Sequence, residues 1–354
     1  MRKFHHGLRR FCALLVGVVF FVAGALKLMD PVGTSLIVGE YFKFLGMTGL
    51  LPVAKVLGVA LALFETLLGA ALVSGVARKL AAAFTLALLG IFTGLTLALL
   101  IANPEMDCGC FGEAVHLTHA QSFIKNLVLL GLSGIAFIPW NDGFVARNPK
   151  KWSFFAVSLA AILFMVYSLR NLPLQDFTDF GCGTQVVDSE TVFSEDDTTP
   201  DGVVVLSFSD PFGEYCDYLA GEGDVMLLSV YEPEMLGEKY WSRASALVTD
   251  AMERGVRPIV LAPSAEAVPM ELGEHLYFSD YKTLLTLNRS NGGATYLSDG
   301  LIVRKWAAAS LPSGDDISGL LESEPLDASA AVVSGARIAF QTGVMVCLAL
   351  LILL

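Results

Sequence analysis

Six apolar stretches decide most of what this chain can fold into. A helix that crosses a bilayer needs roughly 20 mostly apolar residues. Phe11–Leu28, Val53–Val76, Leu80–Ala102, Phe123–Trp140, Phe154–Leu169 and Ile338–Leu354 all approach that length. Only 16% of the residues are charged and 54% are hydrophobic, which no ordinary soluble domain shows. The expected architecture is a polytopic α-helical membrane bundle with six predicted spans, and the lipid bilayer is its first partner. Residues 1–145 form a four-helix membrane domain, 146–170 a fifth transmembrane helix, 171–337 an outer domain and 338–354 a C-terminal transmembrane helix. The start also admits a second reading: a basic stretch, an apolar run and "AGA" at Ala23–Ala25 together look like a cleavable signal peptide.

Orientation follows from the excess of Lys and Arg on cytoplasmic loops. The opening "MRKFHHGLRR" carries four of them, Arg78 and Lys79 fill the turn between spans two and three, and Arg147, Lys150 and Lys151 lie between spans four and five. If every segment spans, these clusters share one side. Both termini are then cytoplasmic, and residues 171–337 lie outside, in the periplasm of a bacterial inner (plasma) membrane protein. Charge divides the same way. Arg170–Arg337 holds 28 Asp/Glu against 10 Lys/Arg, a net of −18, whereas the remainder holds 7 against 13, a net of +6. An outer domain so acidic is no partner for nucleic acid or for anionic lipid.

Between spans one and two, "DPVGTSLIVGEYFKFLGMTGLLP" is too polar to span, and its aromatic residues predict a segment lying in the outer interface. Ser122 is the expected N-cap of span four. Glu65 stands midway along span two, where a carboxylate costs about 2–3 kcal/mol on insertion scales. It is a candidate proton or quinone-site group; the plainer reading is a hydrogen bond to Thr93 or Thr96. Quinone is accordingly the one cofactor considered.

The outer domain reads as α/β. "GVVVLSF", "GDVMLLSVYEP" and "VRPIVLAPS" predict strands, the second of them central because it is apolar nearly throughout. "KYWSRASALVTDAMERG" has helical periodicity and a closing glycine, "DYKTLLTLNRSN" predicts a short helix, and "GATYLSDGLIVRKWA" a hairpin turning at Asp299–Gly300. Strand, helix, strand, helix, hairpin is the thioredoxin order.

The stretch "MDCGCFGEAVHLTHAQSFIKN", Met106–Asn126, carries the chemistry. On this topology it faces an oxidising compartment, which permits disulfides. Cys108 and Cys110 admit three readings. A Cys-x-Cys disulfide closes a small, strained ring, and strain favours a catalytic over a structural bond. Each cysteine could instead staple the loop to a partner elsewhere. Cys108, Cys110, His116 and His119 are also the right ligand types for zinc, although their spacing is unlike the common zinc modules; as loop or cap residues the histidines need no metal. Asp107 and Glu113 oppose a thiolate, so an ordinary thiol pKa is expected. Cys182 and Cys216 are expected to form a disulfide in the outer domain, with exchange toward Cys108 or Cys110 as the sharper alternative. Cys12 and Cys347 lie in apolar spans and read as small hydrophobes.

Three stretches resemble DoxX and MauE membrane proteins: "GVVFFVAGALKLMDP" in span one, "LFETLLGAALVSG" in span two, and "CGCFG" followed by "KNLVLL". The resemblance covers about residues 8–140, and "CGCFG" is its most specific part. MauE proteins are implicated in maturing a disulfide-rich periplasmic subunit in methylamine utilisation, so the resemblance implies a membrane partner in thiol–disulfide chemistry. It does not imply methylamine metabolism here. The outer domain departs from thioredoxin at the active site. Where Cys-x-x-Cys normally follows the central strand it has "YEPEML", and where a cis-proline normally precedes the hairpin it has Gly292–Gly293.

The expectation is an electron relay or partner in periplasmic thiol–disulfide chemistry, MauE-like in maturing a client or serving another redox protein. Cys108 and Cys110 would be the redox pair. The alternative is non-enzymatic: a membrane scaffold with structural disulfides whose acidic domain docks a partner. Enzyme activity is left open by the sequence, and the outer domain alone is expected to be inactive.

Overall fold

The computed structural model describes residues 2–104, 106–138, 150–187 and 203–354. The chain forms two units, Met1–Leu169 with Thr342–Leu354, and Arg170–Gln341. Among the described residues, six helices are long and apolar enough to cross a membrane, and they fall on the six predicted stretches. Trp140 and Arg147 lie outside the described residues.

In the membrane unit, α1 (Arg2–Met29) passes directly into α2 (Pro31–Phe44). The "MDP" sequence makes this junction. Asp30 caps α2 by accepting from the Gly33 N–H at 2.8 Å, and Pro31 takes the first helical position, where its missing N–H is no loss. The Thr34 hydroxyl donates to the carbonyl of Lys27, near the end of α1, and to that of Asp30, which also accepts the Thr34 N–H. A short 3₁₀ turn, Thr48–Val53, leads into α3 (Ala54–Ser74). Gly75, at φ 74°, closes that helix before α4 (Arg78–Ala102). Asn103 ends α4 in the left-handed region, and Pro104 forbids its continuation.

The stretch after Asp30 differs from expectation. It is a helix of the bundle, with Gly33, Thr34, Ser35, Ile37 and Gly39 buried. Small residues make this packing possible: a Cβ on Gly58 of α3 would meet the Ser35 backbone of α2 at 3.0 Å. Between α1 and α3 the approach is closer still, since Gly24 lies on Thr66 and Gly69 on Phe21 with no room for a side chain. Polarity forbade a span but not a short buried helix, because its hydroxyls bond within the bundle.

Next come strand β1 (Cys110–Glu113), α5 (His119–Phe137) and α6 (Lys151–Ser168). The N-cap of α5 is Thr118, not Ser122. Gln121 stands three residues after Thr118, and the two form a reciprocal capping box that Ser122 has no partner to make. Arg10, Arg78 and Lys150, one from each basic cluster, line one pocket at one end of the unit. From Arg10 to Lys27 along α1 is about 25 Å at 1.5 Å per residue, so Lys27 stands at the opposite end.

The second unit is built on a seven-stranded sheet in the order β3-β2-β8-β7-β4-β5-β6. Its strands are β2 (Gln185–Val187), β3 (Val203–Val205), β4 (Asp224–Ser229), β5 (Arg257–Ala262), β6 (Leu276–Phe278), β7 (Gly293–Ser298) and β8 (Leu301–Trp306). The apolar β4 is an interior strand, as predicted, parallel to β5 and antiparallel to β7. Its helices are α7 (Tyr218–Gly221), α8 (Glu238–Glu253), α9 (Tyr281–Leu287) and α10 (Gly314–Leu321). One face of α8 (Trp241, Ala244, Leu247, Val248 and Ala251) packs into the core with Met226, Leu228, Val260 and Tyr296. The β7–β8 turn is Asp299–Gly300, both at positive φ, which the twist of a two-residue hairpin requires. The last helix, α11 (Pro325–Leu353), begins 13 residues before the predicted span. Its Ala-rich start has no proline after Pro325, and the lone Gly335 does not stop it, so one helix continues into the apolar segment.

A dithiol loop over a cavity as the candidate functional site

The loop from Met106 to Thr118 is shaped by its glycines. Gly109 (φ 62°) and Gly112 (φ 65°) both take left-handed backbone, which L side chains resist. The Gly112 N–H closes the turn on the Gly109 carbonyl at 3.1 Å. Gly109 also lies directly on Ile37 of α2, where a Cβ would collide with the isoleucine side chain. The "CGCFG" pattern therefore presses two cysteines down onto the bundle.

The two sulfurs stand 3.1 Å apart. A disulfide needs about 2.05 Å, so a small movement joins them. Their environments differ. Cys108 is buried, and Tyr41 of α2 donates to its carbonyl at 2.9 Å. Its hydrogen bond to Cys110 and its burial push the Cys108 thiol well above the ordinary range. Cys110 moves the other way, to about 5, because Cys108 donates to its thiolate and the Lys125 and Lys27 ammonium groups lie near. The expectation of an ordinary thiol pKa is therefore corrected. Asp107 and Glu113 were weighed because they neighbour the cysteines in sequence; the lysines that prevail come from α1 and α5.

Glu65 is 1% exposed, and its partner is Lys27, which approaches both carboxylate oxygens at 2.9 and 2.6 Å. Thr93 and Thr96, the expected partners, spend their hydroxyls on carbonyls of their own helix. Thr96 in addition accepts from Asn126 of α5 at 3.2 Å. Lys27, Lys125, Tyr41 and Asn126 are thus site residues that sequence reasoning did not single out. The "LKLMDP" sequence held the signal for Lys27: a lone cation at the end of an apolar span needs an anion, and Glu65 is the one acidic residue inside span two.

Cys108, Cys110, Lys27, Glu65, Tyr41 and Lys125 border a single cavity of about 320 Å³ within the membrane unit. Its remaining wall is almost wholly aliphatic and aromatic. The histidines are not drawn into a ligand set. His116 meets Asp107 at 3.1 Å on the surface, and His119 Nε2 meets the Pro104 carbonyl at 3.1 Å. Among the described residues no cluster of three metal-ligating side chains forms.

In the second unit Cys182 and Cys216 stand as separate thiols. The thiols have different neighbours: Lys305, Asp176 and Arg304 for Cys182, and Asp210, Asp217 and Glu214 for Cys216. The loop after β4, where the sequence lacks Cys-x-x-Cys, is closed by Asn291. Its Oδ1 accepts from the N–H groups of Tyr231 and Glu232 at 3.0 Å each, and its Nδ2 donates to the Glu232 carbonyl at 2.7 Å.

Residues 6–139 match the family model described as methylamine utilisation protein MauE, so this part of the chain is a MauE-like membrane region. No curated protein and no solved structure matches the chain.

Proposed function

We propose that this multi-pass membrane protein is a thiol–disulfide relay, in which Cys108 and Cys110 accept electrons from the thiols of an exported client during its maturation. One observation carries the reading: two sulfurs 3.1 Å apart with opposite proton affinities. A thiolate of the client attacks one sulfur of the oxidised pair, and the other sulfur leaves. Cys110, held as a thiolate beside Lys125, is the better leaving group. A second client thiol then displaces the mixed disulfide. The client gains one disulfide, and the pair becomes a thiol and a thiolate.

The gathering of Arg10, Arg78 and Lys150 at one end of the unit supports a cytoplasmic assignment for that end. The cysteine loop, beside Lys27 at the far end, then faces the periplasm of a bacterial inner membrane. The outer domain has the strand and helix order of a thioredoxin around β4, β5, β7 and β8, which supports a thioredoxin-like reading. Asn291 seals its customary active loop, so its role here is to dock the client and not to exchange electrons.

Differential alkylation of the protein in living cells tests the relay. A mixed population of reduced and oxidised Cys108/Cys110 is expected, shifting toward reduced when client is overproduced. A pair that stays fully oxidised, together with full function of the Cys108→Ser/Cys110→Ser double variant, would overturn it.

A further inference from the structure

A dithiol that has collected two electrons must pass them on, and the cavity beneath it has the features of an acceptor site. We infer that the cavity between α1, α2, α4 and α5 binds a lipid-soluble quinone, which reoxidises Cys108 and Cys110. The inference rests on the relay reading and names its electron acceptor.

Four observations carry it. The volume, about 320 Å³, lies at the small end of the range for small-molecule sites, enough for a one- or two-ring head group. The polar groups gather at the cysteine end. Lys27, Lys125, Tyr41 and Asn126 all reach this cavity, and each can donate a hydrogen bond to a quinone carbonyl. The other end is apolar. Val19, eight residues from Lys27 and about 12 Å further along α1, lines it with Phe20 and Leu88. Finally, the wall is open between α2 and α4. Leu45, just past the end of α2, and Ile91 of α4 line the cavity yet are 46% and 57% exposed. In a bilayer that exposure faces acyl chains, so a ligand with an isoprenoid tail enters sideways and leaves its tail in lipid. A water-soluble acceptor would gain nothing from such a portal.

The reaction balances without a further reagent. The S–H bond of Cys108 breaks and a Cys108–Cys110 bond forms, releasing two electrons to the quinone. One of the quinol protons comes from Cys108. The second replaces the proton that Cys110 had already given up, and it enters from the aqueous end of the site. Lys27 and Glu65 end the step as they began, a paired cation and anion that orient the head group. The dithiol is oxidised and the quinone reduced.

The test uses the purified full-length chain in nanodiscs of phosphatidylethanolamine and phosphatidylglycerol, reduced and then freed of reductant under anaerobic conditions. Decylubiquinone and menadione are the probes. Quinol formation is read by absorbance and the cysteines by alkylation and mass spectrometry. One quinone should be consumed per chain, with loss of the Cys108 and Cys110 thiols together. The Cys108→Ser/Cys110→Ser variant should consume none. Leu88→Trp, which fills the apolar end, should slow consumption by about tenfold or more. In a parallel arm a soluble aromatic disulfide replaces the quinone. If it oxidises the pair while both quinones remain unreduced, the quinone site is wrong and the relay stands. If neither oxidant joins Cys108 to Cys110, the relay fails as well. Quinone consumption that is unchanged in the double cysteine variant would also overturn the inference.

Discussion

Lys27 near the end of the first membrane helix holds both carboxylate oxygens of Glu65 in the second span, at 2.9 and 2.6 Å, with each side chain almost wholly excluded from solvent. Neither charge could be tolerated there alone, because taking an unpaired ion out of water is expensive. The pair lies along the α1–α3 contact, where Gly24 and Gly69 let the helices approach, and it borders the same cavity as the dithiol.

Breaking this pair should be costly. Lys27→Met or Glu65→Gln leaves one buried group without its partner and should destabilise the bundle by about 3–5 kcal/mol. The Lys27→Met/Glu65→Gln double variant removes both charges and should recover most of that loss. Thermal unfolding of the detergent-solubilised protein measures all three, and losses that simply add would show that the two side chains are not coupled.

Cys110 should behave as a thiolate across the physiological range. Its ionised form is present above about pH 5 and is lost as pH falls through that value. The rate of iodoacetamide modification at Cys110 should therefore be flat from neutral pH upward and fall in acid. Cys108→Ala removes the donated hydrogen bond and Lys125→Met the nearby cation, so each should move the midpoint toward the ordinary thiol value near 8.5. An unshifted midpoint in both variants would mean that neither group holds the thiolate.

Gly109→Ala should disable the loop without disturbing the spans. The substitution meets a left-handed φ of 62° and the Ile37 side chain together. The backbone component alone is worth about 1–2 kcal/mol. Formation of the Cys108–Cys110 bond by a mild oxidant should slow. Adding Ile37→Ala should restore part of the rate, because it relieves the collision but not the backbone strain.

The outer domain should fold on its own and lack reductase activity. It has its own core around Met226, Leu247, Val260 and Tyr296, so the fragment from residue 170 to 324 should melt cooperatively. Insulin reduction should be at background, and appreciable turnover would reveal a redox pair elsewhere. Asn291→Ala deprives the Tyr231 and Glu232 N–H groups of their acceptor and should lower stability by about 1–3 kcal/mol, still without creating activity.

Protease added to spheroplasts should cut within residues 171–337 and spare the turn at Arg78–Lys79. Protection of the outer domain would reverse the orientation drawn from the basic clusters.

The spans, the apolar strands and the hairpin could be read from the sequence, because their causes are local. Spans follow from the length of apolar runs, the interior place of β4 from its unbroken apolar pattern, and the β7–β8 turn from Asp299–Gly300. The importance of the cysteine loop was also visible, since two cysteines and two glycines in five residues leave few conformations open. What the sequence could not supply was any partner contributed by a distant element. Thr93 and Thr96 were plausible for Glu65 by residue type, but helix rotation turned their hydroxyls to their own carbonyls and brought Lys27 instead. Asp107 and Glu113 flank the cysteines along the chain, yet Lys125 and Lys27 set the charge around Cys110. The segment after Asp30 was polar enough to suggest the interface, but Gly58 and Ser35 are small enough to bring it into the bundle. Local sequence determines which helices and turns exist. Which side chains meet across them depends on helix rotation and on where small residues permit contact, and only the tertiary structure decides that.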